Sequence, residues 1–164
     1  MQTALNSYNS LLEQLEKSHF DTFGYSPNNS SLVSLLVSPN AKSQAPLAEE
    51  YKIDALIENQ RGLKFFGVPL FSGKSLLPVL DPPMFQRLNG KRVKLSYDSL
   101  DNYVLPDFGW SWSWSSWYVL MLHDVDELGW AYLGVWGKWW HGKYRFGDCV
   151  RRRVWVRMRQ RASS

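Results

Sequence analysis

The chain has a single cysteine, Cys149, so no intrachain disulfide can form and a cystine-stapled secreted scaffold is excluded. It also has no long hydrophobic run. The longest, Tyr118-Val119-Leu120-Met121-Leu122, falls far short of the ~20 apolar residues that cross a bilayer as a helix. The opening Met1-Gln2-Thr3-Ala4-Leu5 has neither the basic nor the apolar region of a secretory signal. These three absences predict a cytosolic chain whose contact with any membrane is peripheral.

Catalytic signatures are missing as well. There is no Gly-x-Ser-x-Gly and no His-Glu-x-x-His, and Ser72-Gly73-Lys74-Ser75 has the ending of a P-loop without its upstream glycine, so it reads as a turn. His19, His123, His141 and Cys149 share no metal-ligand spacing. Asp124, Asp126 and Glu127 are a candidate calcium loop, but the oxygen-rich pattern of such a loop is absent, and a solvated turn is the expectation. With no nucleophile–base pair to assemble, the chain is expected to be non-enzymatic, with no cofactor and no metal. No internal repeat is visible, which argues against a solenoid or propeller.

What is abundant is tryptophan. All nine lie between Trp110 and Trp155, and each buried ring removes about 150–250 Å² from water. Charge is unevenly spread. Residues 1–50 carry 2 basic and 5 acidic side chains, whereas residues 51–164 carry 17 basic and 10 acidic. The cationic part coincides with the folded part, so an anionic partner is expected: phosphate-bearing lipid, nucleic acid or an acidic protein surface.

Three regions follow from the pattern. Leu5, Tyr8, Leu11, Leu12 and Leu15 recur at helical spacing, which predicts an amphipathic helix over 3–18 within an N-terminal region 1–20. It either docks on the domain or binds a partner or membrane surface. Residues 21–50 are rich in Ser, Asn and Pro and read as a linker, with the apolar patch Leu32–Val37 as a candidate edge strand. Residues 51–161 read as one β domain: Gly62, Gly67, Pro69, Gly73 and Pro78 break the chain at short intervals, and Asn89-Gly90 signals a two-residue hairpin.

Two long strands are expected, at 110–122 and 150–160. In Val150–Arg161, alternate positions put Arg151, Arg153, Trp155, Arg157, Arg159 and Arg161 on one face, and Arg152, Val154, Val156, Met158 and Gln160 on the other. Val154, Val156 and Met158 are therefore assigned to the core. Trp110, Trp112 and Trp114 alternate with serines, and a bulge at Ser115-Ser116 keeps Trp117, Val119 and Met121 on the tryptophan face. Antiparallel pairing of these strands places indoles opposite guanidinium groups, each stack worth roughly 0.5–2 kcal/mol. The expected fold is mainly β, an antiparallel sheet or sandwich held by an arginine–tryptophan stack of Trp110, Trp112, Trp114, Trp117, Trp130, Trp155, Arg151, Arg153, Arg157 and Arg159. Two sharper readings of the same residues are a single-stranded nucleic-acid platform and a sugar-stacking surface. Mutual satisfaction of arginines and indoles disfavours both, leaving the nucleic-acid binder as the rival to the scaffold.

The candidate binding surface is basic loops beside aromatic residues: Lys91, Arg92 and Lys94 after the Asn89-Gly90 turn, and Lys138, Trp139, Lys143 and Arg145 within Lys138–Arg145. Near an anionic leaflet each cation contributes about 1 kcal/mol, and Trp favours the headgroup level.

Several elements together resemble the dysferlin-domain family. Glu58-Asn59-Gln60-Arg61-Gly62, Gly67-Val68-Pro69-Leu70-Phe71-Ser72 and Leu76-Leu77-Pro78 are similar to its opening half. Trp117-Tyr118-Val119, Asp126-Glu127-Leu128-Gly129-Trp130-Ala131-Tyr132, Trp140 and Val150–Arg157 are similar to its closing half. With Asp81–Asn89, the pattern most resembles small fungal sporulation-specific proteins with a single dysferlin domain, and more distantly the dysferlin-domain peroxins. The resemblance implies a β domain held by Arg–Trp stacks, no catalysis, and work in prospore membrane extension during sporulation. It implies a protein partner at a membrane (a larger sporulation protein), anionic phospholipid contact, and a peripheral location at the prospore membrane or membranes derived from the endoplasmic reticulum. Unlike the peroxins, this chain has no membrane-spanning region of its own in the sequence.

Overall fold

The structure is a computed structural model, and it describes residues 6, 9–10, 48–105, 108–121 and 124–162. Asn6, Asn9 and Ser10 are helical. The rest of the region expected as a helix over 3–18, the linker 21–47 with Leu32–Val37, and both His19 and His123 lie outside the described residues.

The described chain is mainly β, in one antiparallel sheet of seven strands. The strands are β1 (Ala48–Phe65), β2 (Val68–Ser72), β3 (Phe85–Arg87), β4 (Trp110–Trp112), β5 (Tyr118–Val119), β6 (Ala131–Leu133) and β7 (Val150–Ala162). β1 and β7 are the long central pair, in register from Tyr51↔Gln160 to Arg61↔Val150. β2 and β3 line the outer edge of β1, while β4, β5 and β6 line successive stretches of the outer edge of β7. Among the described residues there is one sheet and no second sheet packed on it. Loops cover the two faces in its place.

Opposed residues of an antiparallel pair share a face, so the register sorts the side chains. One face of the central pair carries Ile53, Ala55 and Ile57 from β1 with Val154, Val156 and Met158 from β7. Trp114 and Leu120 close over it to make the main aliphatic core. The other face carries Asp54, Leu56, Glu58 and Gln60 opposite Arg157, Trp155, Arg153 and Arg151. Here Leu56, Tyr103 and Trp117 are buried, and Val93, Leu95 and Leu100 of the 88–105 loop pack against them. A third cluster, Ala131, Trp140 and Val150, closes the far end.

Two expected features differ. The strand over 110–122 is interrupted: after Trp112 the amides of Ser113 and Trp114 both donate to the carbonyl of Met158 (2.9 and 3.2 Å), and pairing resumes only at Tyr118↔Val156. Two donors on one acceptor advance the chain without advancing the ladder, which turns Trp114 over to the aliphatic face. The Asn89-Gly90 turn closes a hairpin with three intervening residues, not two. The Arg87 amide donates to the Lys91 carbonyl across Leu88-Asn89-Gly90, the Gly90 amide donates to the Arg87 carbonyl, and Gly90 takes φ 82°. Beyond it Arg92 bridges back to Gln86, and the Val93 amide donates to the Phe85 carbonyl at 2.9 Å.

Gly129 shows why one element of the chain tolerates no substitution. Its φ is +80°, and a Cβ there would lie 2.1 Å from Val119 Cγ1. That close approach seats the turn before Trp130 against Val119 of β5.

Candidate functional site

The arginine-bearing face is ordered by its register. The Arg151 guanidinium carbon lies 4.0 Å from the Trp130 ring centroid and 4.7 Å from that of Phe71. Arg153 lies 4.2 Å from Trp130 and 4.5 Å from Trp155. Arg157 lies 4.3 Å from Trp112, and Arg159 4.6 Å from Trp110. Polar partners from β1 fix the guanidinium planes. Gln60 Oε1 accepts from Arg151 Nε and Nη2 at 2.9 and 2.7 Å. Glu58 Oε2 accepts from both Arg153 Nε and Trp155 Nε1, at 2.8 and 2.7 Å. Arg157 donates to the carbonyls of Trp114 and Ser115, pinning the interruption between β4 and β5.

Trp114 and Trp117 stand apart from the rest of the expected stack. Trp114 sits in the aliphatic cluster, edge-on to Tyr118 at 5.5 Å. Trp117 packs edge-on to Tyr103 and Trp112 and donates its indole N–H to the Leu100 carbonyl. Conversely, Arg152 on the opposite face lies 4.1 Å from the ring of the buried Trp140, a pair the alternation argument left out. The role of Asp54, Glu58 and Gln60 as partners of the arginines is likewise absent from the sequence reading. Their signal is the period-two polar spacing of Asp54, Glu58 and Gln60 within an apolar-rich strand, complementary to the arginines.

Asp54 is the strained member of this face. Burial pushes its carboxyl above the ordinary range, against the opposing pull of Arg159, Arg87 and Lys52. Its nearest ion-pair contact, Arg159 Nε to Oδ1, is 3.6 Å. It lines an open cavity of about 180 Å³ with Ile53, Arg87, Leu88, Asn89 and Tyr103, below the ~300 Å³ at which drug-sized ligands begin to fit.

A second polar knot lies at the end of the β1·β7 pairing. Asp81 accepts from Arg61 through both carboxylate oxygens, from the Leu77 amide, and from Trp136 Nε1 at 2.7 Å. The hydrogen bond from Arg61 is the largest cause of an Asp81 pKa lowered to about 2. In the acidic loop, Asp126 is committed locally. Its oxygens accept from the Leu128 and Trp130 amides and the Tyr132 hydroxyl, while Asp124 and Glu127 are exposed.

The seven candidate surface residues are all exposed, but the fold does not bring them onto one patch. Lys91, Arg92 and Lys94 leave the β3 edge of β1. Lys138, Trp139, Lys143 and Arg145 belong to the loop between β6 and β7 on the opposite edge. Three strand spacings, about 14 Å, separate the edges. The second loop is well tied. His141 bridges to Tyr132 in the backbone, and Asp148 accepts from the Arg145 amide and sits 3.3 Å from His141 Nε2. It also adjoins the β1–β2 hairpin, with Tyr144 edge-on to Phe71 at 6.1 Å and Lys64 Nζ 4.1 Å over the Phe146 ring. Its cations therefore sit beside that hairpin rather than beside Lys91 and Arg92.

No helix among the described residues is long and apolar enough to cross a membrane. No family model matches the chain. Among curated proteins, the chain is 42% identical over 125 residues to "Sporulation-specific protein 73" of Saccharomyces cerevisiae, an alignment covering 64% of this chain and 84% of that protein. It belongs to that protein's family. The chain is also 40% identical over 111 residues to "Meiotically up-regulated gene 65 protein" of Schizosaccharomyces pombe, covering 66% of this chain but only 43% of that longer relative.

Proposed function

We propose that this chain is a non-enzymatic adaptor of spore formation that works peripherally at a membrane, through a protein partner and anionic phospholipid. The observation that carries the reading is the 42% identity to sporulation-specific protein 73 along 84% of that relative's length. On this reading the domain is dysferlin-type, and its arginine–indole stacks are scaffolding. Several indole faces on the sheet are already occupied by the chain's own guanidinium groups, which supports a scaffold over a base-stacking platform. The exposed cations of Lys138–Arg145, held in a tied loop beside Trp139, supply the surface for a phosphate-bearing partner.

The test is localisation of a tagged full chain in sporulating cells, with recovery of co-purifying protein. Enrichment at the forming spore membrane supports the reading. A diffuse distribution throughout sporulation, with no captured partner, overturns it. Binding to anionic vesicles that survives Lys138, Lys143 and Arg145 each becoming Glu removes that loop as the lipid contact.

A further inference from the structure

The pairing of β1 with β7 ends at Arg61↔Val150, yet β1 runs on to Phe65, paired only with β2. The last turn of the sheet is thus a two-stranded ribbon projecting beyond the body, a structure that is marginal in water without packing on at least one face. Its register assigns the two faces. Gly62↔Phe71 and Lys64↔Pro69 point back toward the body, where Phe71 meets Tyr132, Tyr144 and Arg151. Leu63↔Leu70 and Phe65↔Val68 point the other way, and all four are exposed.

The tip is odder still. Phe66 and Gly67 form a two-residue turn with φ of 48° and 81°, the left-handed pair of a type I′ hairpin. Asn or Gly is the residue such a turn favours at its first central position. A phenylalanine there is strained, and the residue is 92% exposed. Neither stability nor solubility accounts for a bulky apolar side chain at a position that disfavours it in both respects. An exposed apolar stripe of this kind marks a docking surface. Cations lie on the ribbon's other face, behind the stripe: Lys64, whose Nζ lies over the Phe146 ring, and the exposed Lys143 and Arg145 on either side of Tyr144, which packs on the ribbon through Phe71.

We propose that the β1–β2 hairpin is a membrane wedge. Phe65 and Phe66 enter the acyl boundary of an anionic bilayer, while Lys64, Lys143 and Arg145 meet its phosphates. A convex apolar tip with cations set back on one side of it fits a soft anionic sheet of lipid better than a preformed protein cleft. This deepens the membrane reading above and rests on it.

The test compares the full chain with the variant Phe66→Asn plus Val68→Thr on phosphatidylcholine vesicles with and without about 30 mol% phosphatidylserine, at low salt and at about 0.5 M salt, where exposed charge contacts are largely screened. Because Asn-Gly is the turn's preferred dipeptide, the variant keeps its fold, checked by an unchanged or higher melting temperature. The wild type should bind anionic vesicles and retain part of that binding at high salt. The variant should bind about tenfold more weakly or less, with the salt-resistant part gone. Equal binding by the two proteins overturns the wedge while leaving the membrane reading in place. No vesicle binding by the wild type overturns the wedge and the lipid contact together, and leaves the protein partner to be judged by localisation.

Discussion

The two faces of the β1·β7 pair are built from the same two strands by different chemistry. One is filled by Ile57, Val154, Val156 and Met158, interchangeable shapes held by area. The other is filled by arginines lying on indoles, of which Arg151, Arg153 and Arg157 are steered by the Gln60 amide, the Glu58 carboxylate and the Trp114 and Ser115 carbonyls. The aliphatic face tolerates small shifts because dispersion has no direction. The arginine face does not, since a guanidinium that leaves its ring also loses its hydrogen bonds, and the groups left behind remain partly desolvated. The aliphatic face should thus respond to volume and the arginine face to geometry.

The sharpest break is at Glu58, where one carboxylate oxygen serves both Arg153 and Trp155. Glu58→Ala strands both donors and is expected to cost about 3 kcal/mol, the lower end for a broken buried pair because Arg153 keeps partial contact with water. A chemical denaturation midpoint measures it, and a loss below about 1 kcal/mol means the oxygen is dispensable and the comparison fails. On the aliphatic face, Met158→Ala should cost about 2–3 kcal/mol, but Met158→Leu less than about 1.5 kcal/mol. The counterpart swap on the other face is Arg157→Lys, which keeps charge and length but loses the planar fork that reaches the Trp114 and Ser115 carbonyls and covers Trp112. It is expected to cost about 1–2 kcal/mol. Equal tolerance of Met158→Leu and Arg157→Lys would erase the distinction between the faces.

The same contrast governs what was legible beforehand. Period-two alternation in Val150–Arg161 is a local property, and it put Val154, Val156 and Met158 in the core where they are found buried. The mainly antiparallel β class followed from the same punctuation and alternation. The position of Trp114 was not legible, because a shared acceptor on β7 reverses its face and the acceptor lies 44 residues away in sequence. Nor was the separation of Lys91–Lys94 from Lys138–Arg145, which depends on which edge of which strand each loop leaves. The β1–β2 hairpin had a signal that was passed over: Leu63-x-Phe65 and Val68-x-Leu70 alternate symmetrically about Phe66-Gly67.

The Asp81 knot gives the comparison a pH axis. Its folded pKa, about 2, lies below the ordinary value of 3.8, so the stability it confers is complete above about pH 4 and is lost as the pH falls toward 2. The aliphatic face has no such dependence. Urea midpoints measured from pH 5 down to pH 2 should fall more steeply for the wild type than for Asp81→Asn, which carries no titrating group at that position. Parallel curves would mean the Arg61 contact contributes nothing at equilibrium.

The smallest expected effect has the opposite sign. Phe66 packs edge-on against Phe65 at 4.6 Å, but that contact is exposed and its backbone sits in the left-handed region. Replacing it by Asn relieves strain of order 1 kcal/mol and removes little buried area, so Phe66→Asn should stabilise the chain by about 0.5–1 kcal/mol. A protein that keeps the less stable residue at an exposed hairpin tip is trading stability for something the folded monomer does not need, the pattern expected of a working surface. If Phe66→Asn instead lowers the melting temperature, the ring belongs to the fold, and the hairpin must be classed with the two faces of the central pair rather than against them.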